Sequence, residues 1–350
     1  MEFSKLGSSG LDVSRVCLGS MTWGLQNNQA DANAQIDYAL SQQVNFIDTA
    51  EMYAVPPSAE TYGKTETIIG NWLCHNQQHR QDIILATKVA GPGLSWVRQG
   101  APITGKTVIS AVEGSLKRLQ TDYIDLYQLH WPNRQSPHFA QHWPGTLNFT
   151  DLDSQAHTEQ MLDILQGLAE CVKAGKIRHC GLSDDTPWGI NEYLRLSQAH
   201  DLPRMVSIQN EFSLLHTKDW PYLIEQCVHQ DIAYLPWSPL ATGMLTGKYL
   251  NGERPSGSRW TLMQRNGLFR DTPQSEQAVR AYVELAKAYN LAPAALALAW
   301  CNQVNGVSST IIGATTQQQL IENIAAFEQP LSQQILADIT DILRQYPSPF

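Results

Sequence analysis

Three apolar runs of this sequence end on titratable residues: VNFID on Asp48, ILATK on Lys88 and LYQLH on His130, with Tyr53 shortly after the first. A carboxylate closing a buried run needs a partner or water, and a lysine ammonium is a suitable partner. A phenol beside that ammonium acquires new chemistry. Free tyrosine has a pKa of about 10, too high for an efficient proton donor near neutrality. A cation ~4 Å away, at an effective dielectric of ~20, favours phenolate by roughly 4 kcal/mol, or about three pKa units. An imidazole at the same rim can donate to a carbonyl oxygen or share the proton with the phenol. Together the four groups could protonate an oxygen while hydride attacks the adjoining carbon. Singly, each has a plainer role: Asp48 as a cap or ion-pair partner, His130 as a structural histidine. Four such groups at one rim favour chemistry.

Convergence of this kind requires a scaffold that brings strand ends to one mouth. Short apolar runs recur as RVCLGS, VNFID, DIILATK, IDLYQLH, IRHCGLS, MVSIQN, IAYLPWS and STIIGA, with amphipathic segments between them. In 104–120, Val108, Ile109, Val112, Leu116 and Leu119 share a helical face. In 158–175, Met161, Leu162, Leu165, Leu168, Ala169 and Val172 do the same, and Gly175 is placed to end the helix. This alternation predicts parallel strands. Eight units without a break in composition predict one (β/α)8 TIM barrel over residues 1–350; an N-terminal β-hairpin is expected ahead of it. An open doubly wound sheet would carry G-x-G-x-x-G after its first strand, where this chain has LGSMTWG. Segments 131–157 and 240–275 break the rhythm and are expected as long loops on the C-terminal face, over the site, and 291–304 reads as an added helix.

The chain is 43% hydrophobic and 16% charged, with a formal charge of -9. That composition supplies a large core and no overall positive field for nucleic acid or an anionic membrane. The first residues lack the regions of a signal peptide, and the most apolar run, LAPAALALAW, is short and contains Pro293. A cytoplasmic protein is expected. The six cysteines form no C-x-x-C pair and are expected to be buried reduced thiols. His75, His79, His138, His142 and His157 lack cysteine or carboxylate in ligand spacing, so they read as solvated and no metal is expected.

NFIDTAEMY, LATK and LYQLHWP resemble, in order, the active-site motifs of the aldo-keto reductase family, and the resemblance covers nearly the whole chain. It implies a catalytic tetrad in which Tyr53 is the acid, Lys88 and Asp48 tune it, and His130 orients the carbonyl. It implies NADP(H) as cofactor, with Ser183 and Gln209 on the nicotinamide carboxamide and Trp237 stacked on the ring. Ser238, Pro239, Leu240, Ala241, Thr242 and Lys248 of WSPLATGMLTGKY would wrap the pyrophosphate, since backbone N–H groups and one cation suit a phosphate. Arg259 in SGSRW would hold the adenosine 2'-phosphate, favouring NADPH over NADH. Gly313, Thr315, Gln319, Glu322 and Asn323 of GATTQQQLIEN would meet the adenosine.

Plainer roles stand beside these: a core aromatic for Trp237, a barrel-interior hydrogen bond for Gln209, a solvated Arg259, and a helix-capping box from Thr316 and Gln319. Trp23 and Trp131 would line the substrate mouth or pack the core. The family usually has Asn after the serine of the fifth barrel strand, whereas GLSDD has Asp184; an amide can donate there, and an ionised carboxylate can only accept. The expected function is NADPH-dependent reduction of aldehydes or ketones to alcohols, with a small carbonyl compound as partner. The alternative is an NADP(H)-binding regulatory subunit with little turnover, as in the similar β subunits of voltage-gated potassium channels. Those carry Asn where this chain has His130. A metal-dependent hydrolase barrel would often carry H-x-H after its first strand, where LGSMT stands.

Overall fold

A computed structural model of the protein describes residues 1–262 and 268–350. Strands β1 (Phe3–Lys5) and β2 (Asp12–Ser14) pair antiparallel as an N-terminal hairpin. Every one of the eight apolar runs is then a strand: β3 (Val16–Gly19), β4 (Phe46–Asp48), β5 (Ile84–Val89), β6 (Ile124–Leu129), β7 (Ile177–Ser183), β8 (Met205–Glu211), β9 (Ala233–Trp237) and β10 (Thr310–Ile312). They form one parallel sheet in the order β10-β3-β4-β5-β6-β7-β8-β9. The seam between β9 and β10 is joined just before β10, where the Ser308 N–H donates to the Tyr234 carbonyl at 2.9 Å. With helices following the strands, this is the architecture of a (β/α)8 barrel.

Strand periodicity explains how the interior is filled. Cys17, Phe46, Ile84, Ala86, Leu126, Val206, Ala233 and Leu235 form an apolar cluster with Leu6 and Val13 of the hairpin, so the hairpin covers one end of the barrel. The alternate residues, among them Leu18, Ile47, Leu85 and Tyr127, pack with the helices in the main core. Each fully buried Leu, Ile or Phe contributes roughly 1.5–3 kcal/mol. Two positions further along the inward-facing series the chemistry changes: Phe46 is followed by Asp48, Ala86 by Lys88, and Leu126 by Gln128. The barrel is therefore apolar at its hairpin end and polar at its C-terminal mouth.

The helix expected from 104 spans Gly105–Leu119, capped by Thr104, whose hydroxyl accepts from the Thr107 N–H at 3.1 Å. The helix expected from 158 begins earlier, at Ser154, because Asp153 accepts from the Ala156 N–H at 2.9 Å. Its first turn is largely exposed and polar and so leaves no apolar periodicity to read. Pro293–Gln303 is the added helix. From 131 to 153 the chain has no helix or strand. The 240–275 segment holds short turns, including Ala241–Thr246 and Arg259–Leu262; its residues 263–267 lie outside the described residues. Among the described residues no helix is long and apolar enough to cross a membrane. All six cysteines are free, and Cys74, expected to be buried, is exposed near the end of the Lys64–His75 helix.

Candidate active site

The ends of β4, β5 and β6 bring the four expected groups together. Lys88 Nζ donates to Asp48 Oδ2 at 2.5 Å and to the Thr49 carbonyl at 2.8 Å, with both ionic groups buried. The same ammonium lies 5.1 Å from the centre of the Tyr53 ring, and His130 meets that ring edge-on at 5.6 Å. The other Asp48 oxygen accepts from Gln209 Nε2 at 2.9 Å and Gln128 Nε2 at 3.1 Å. Three donors thus hold a carboxylate that would otherwise be costly to bury.

The electrostatics depart from the sequence expectation in one respect. Desolvation is the largest influence on the Tyr53 phenol and pushes its pKa up; Lys88 pulls it down, Asp48 and Asp184 oppose Lys88, and the net direction is upward. Dehydration and the carboxylate bonded to Lys88 together offset the pull of the cation. The phenol is consequently protonated throughout the neutral range. Burial also works against the Lys88 ammonium, but Asp48 and Tyr53 outweigh it and the group stays charged. His130 is pushed well below the usual histidine range by burial and then by Lys88. It is a neutral imidazole, and its buried Nδ1 has no partner among the described residues.

Beyond β7 and β9 the chain builds a second surface. Trp237 Nε1 donates to Asp184 Oδ1 at 3.1 Å, and Phe139 from the 131–157 loop stacks on the Trp237 ring at 5.7 Å. His138 Nδ1 lies 3.5 Å from the same Asp184 oxygen, and Ser136 Oγ donates to the Asp184 carbonyl at 2.8 Å. Burial pushes the Asp184 carboxyl well above its ordinary range, with the Trp237 bond opposing. The shift favours the protonated carboxyl, which, unlike the carboxylate, can donate a hydrogen bond. Ser183 Oγ donates to the Gln209 carbonyl at 2.9 Å, and the Gln209 side-chain nitrogen is taken up by Asp48 and Gln128.

Ser238, Ala241, Thr242 and Gly243 all have left-handed backbone, with φ of 52, 47, 59 and 96°. Such conformations cost ~1–3 kcal/mol for each non-glycine residue and concentrate where ligands are held. Pro239 is buried and Leu240 half-buried within this turn, while Lys248 is exposed beside it. The Thr242 hydroxyl accepts from Trp260 Nε1 at 3.0 Å. Arg259 reaches across to the loop after β3, its Nη2 3.1 Å from Met21 Sδ, and no carboxylate pairs with it among the described residues. At the end of β10, Thr315 bonds the Gln319 side chain through both its N–H and its hydroxyl, at 2.9 and 3.0 Å. Asn323 donates to the Gly313 carbonyl at 3.3 Å, and Glu322 takes a bond from Gln318 at 2.7 Å. The capping box forms in half: Thr316 accepts from the Gln319 N–H at 3.2 Å, but the Gln319 side chain reaches Thr315.

A model of the aldo/keto reductase family matches residues 15–344. The chain belongs to the aldo/keto reductase family. Protein tas of Escherichia coli (strain K12) is 44% identical over 352 residues, spanning 100% of this chain and 99% of that protein. The uncharacterized oxidoreductase YrpG of Bacillus subtilis (strain 168) is 31% identical over 355 residues, spanning 100% of this chain and 97% of its own. An aldo-keto reductase of Babesia bovis is 37% identical over 278 residues, 75% of this chain and 93% of its own. Membership of this family supports oxidoreduction as the general chemistry of the barrel.

Of the two places expected for Trp23, the structure gives the core: it is wholly buried and donates to Gln35 Oε1 at 3.0 Å. One expectation is corrected. His138 is not solvated but buried against Asp184, and burial pushes it down to about 4. Trp131 does lie beside the site, 5.0 Å from the His130 ring, its indole N–H on the Pro92 carbonyl at 3.0 Å. A Cβ on Gly91 would fall 2.2 Å from the Trp131 ring nitrogen, so glycine is needed there for the indole to approach. Gln128 escaped notice in the sequence, although two-residue alternation puts it on the same face of β6 as His130. Phe139 and its contact with Trp237 carry no local signal.

Proposed function

We propose that the protein reduces aldehydes or ketones to alcohols with NADPH, the proton coming from Tyr53. The observation that carries this reading is the meeting of Tyr53, the Lys88 ammonium and the neutral His130 imidazole at one rim, with Asp48 keeping Lys88 charged. Bound NADPH supplies the hydride. Trp237, Asp184, the left-handed turn around Ala241, Lys248 and Arg259 would hold it, with Gly313, Thr315 and Asn323 at the far end. The fit rests on a partly buried guanidinium with no carboxylate partner among the described residues, on the run of left-handed residues, and on open space at Gly313, where a Cβ would meet nothing within 4 Å. An unpaired arginine suits the extra phosphate of NADPH.

The side chains act on the carbonyl oxygen. His130, with one N–H available as a neutral ring, donates to that oxygen and orients it. Tyr53 holds its proton on Oη until negative charge develops, then gives it up; Lys88 stabilises the phenolate left behind. Partly buried Trp131 offers an apolar wall for the substrate.

The test follows NADPH absorbance against a panel of aldehydes and ketones, with native protein and Tyr53→Phe. The variant is expected to lose ~10²–10⁴-fold in turnover while keeping its affinity for NADPH. Undiminished reduction by the variant would refute the mechanism. Tight NADPH binding by the native protein with no turnover on any carbonyl would favour the regulatory-subunit reading.

A further inference from the structure

The chain from Asp48 to Tyr53 leaves the sheet as a loop, and a loop alone does not hold a phenol at a set distance from Lys88. Glu51 lies within it, wholly buried. Its carboxylate accepts from the Ala90 N–H at 2.6 Å and from the Tyr62 hydroxyl at 2.8 Å. The Arg98 guanidinium grips it as a fork, 2.6 Å to Oε1 and 3.1 Å to Oε2, and also donates to the Ala90 carbonyl at 2.9 Å. The backbone is pinned too: the Glu51 N–H donates to the Lys88 carbonyl at 3.1 Å, and the Gly63 N–H donates to the Glu51 carbonyl at 2.8 Å. Ala90 continues the strand that bears Lys88, and Glu51 shortly precedes Tyr53. One carboxylate therefore ties the proton donor's loop to the ammonium's strand. Arg98 reaches it from left-handed backbone, φ 49°, followed by Gln99 at 58°, a conformation that persists where its surroundings enforce it.

The tetrad makes none of these side-chain bonds. The plain reading is an ion pair that holds the fold, but a buried pair adds little net stability, because desolvation offsets most of the attraction. A forked pair does add direction, since parallel N–H···O bonds select one conformer where apolar packing admits several.

We propose that Glu51, clamped by Arg98, is a positioning residue that sets the separation between the Tyr53 phenol and the Lys88 ammonium. The proposal deepens the reading of Tyr53 as proton donor and rests on it, yet the separation can be measured without turnover. If the clamp loosens and the gap widens by ~2 Å, at an effective dielectric of ~20 the ammonium's pull on the phenol weakens by roughly 0.7 pKa unit.

The experiment places 3,5-difluorotyrosine, whose phenol titrates near neutrality, at position 53 of the full chain and follows its 19F resonance against pH. Native protein is compared with Glu51→Gln, Arg98→Lys and Arg98→Ala. Arg98→Lys keeps the charge but cannot form the fork; it decides the matter if the other two variants do not fold. Each folded variant is expected to titrate ~0.5–1 unit higher than native. With ordinary tyrosine restored, kcat for a carbonyl should fall ~10–100-fold while KM for NADPH stays within about twofold. A purely structural role would lower the melting temperature and leave the fluorine midpoint in place. An unchanged midpoint in folded variants overturns the proposal. Absence of turnover in the native enzyme would instead sink the carbonyl-reductase reading, and the fluorine titration would still decide the role of the clamp.

Discussion

The buried pair at the centre of the site offers a sharp test through a double-mutant cycle of Asp48→Asn and Lys88→Met. Lys88 has no exposure and its ammonium sits 2.5 Å from Asp48 Oδ2, while Gln209 and Gln128 donate to the other oxygen at 2.9 and 3.1 Å. Asparagine at 48 brings one acceptor oxygen to three donors. Lys88 then either stays charged without a counterion or loses its proton, and one donor goes unsatisfied. Removing one partner of a buried pair costs ~3–5 kcal/mol, and an unsatisfied buried donor alone accounts for ~1–3 kcal/mol of such a loss. Lys88→Met strands the Asp48 carboxylate, although both glutamines still bond it, so its cost should fall at the lower end. The double variant leaves no charge behind. Its destabilisation should be less than the sum of the singles by ~2 kcal/mol or more. At ~2.1 cal/mol/K per residue over 350 residues, a 4 kcal/mol loss lowers the melting temperature by ~5 °C. Scanning calorimetry at pH 7.5 on the four proteins measures this. Additive losses, with the double variant as unstable as the two singles combined, would refute the claim that these groups neutralise one another.

Other perturbations test separate parts of the site. Arg259→Ala should weaken NADPH binding ~10–100-fold and NADH binding far less, as loss of a charge-assisted phosphate contact requires; equal losses in a fluorescence titration would remove Arg259 from the 2'-phosphate. Asp184 has a raised folded-state pKa, so the folded protein keeps a proton that the unfolded chain sheds near pH ~3.9, and stability declines as pH rises from there toward the folded value. Asp184→Asn removes that slope, and its melting-temperature advantage over native should grow as pH rises above ~4 toward the folded value; a difference that does not change with pH would mean that burial does not raise this carboxyl. Gly91→Ala places a methyl against the Trp131 ring, which can move aside by giving up its bond to Pro92. A destabilisation of ~1–3 kcal/mol is expected, together with a raised KM for bulky aldehydes, measured by calorimetry and steady-state kinetics.

Much of this protein is legible from local pattern. A strand is marked by a short apolar run and a helix by its apolar face, so all eight barrel strands and the principal helices could be read from neighbouring residues. Parallel strands converge on one mouth, and that rule alone brought Asp48, Lys88 and His130 together and put Tyr53 beside them. What the pattern could not supply depends on residues far apart in the chain. The direction of the Tyr53 shift comes from dehydration and from the carboxylate bonded to Lys88. The Asp184 carboxyl is pushed up because it is buried among β7, Trp237 and the 131–157 loop, and Trp23 lies in the core because the segments that carry Gln35 and Thr65 enclose it. Glu51 meets Arg98 across a separation of 47 residues. Sequence by itself determined which groups stand at the rim, since that follows from periodicity. Tertiary structure decided which of them are charged and how far apart they are held, because desolvation and non-local hydrogen bonds exist only in the folded chain.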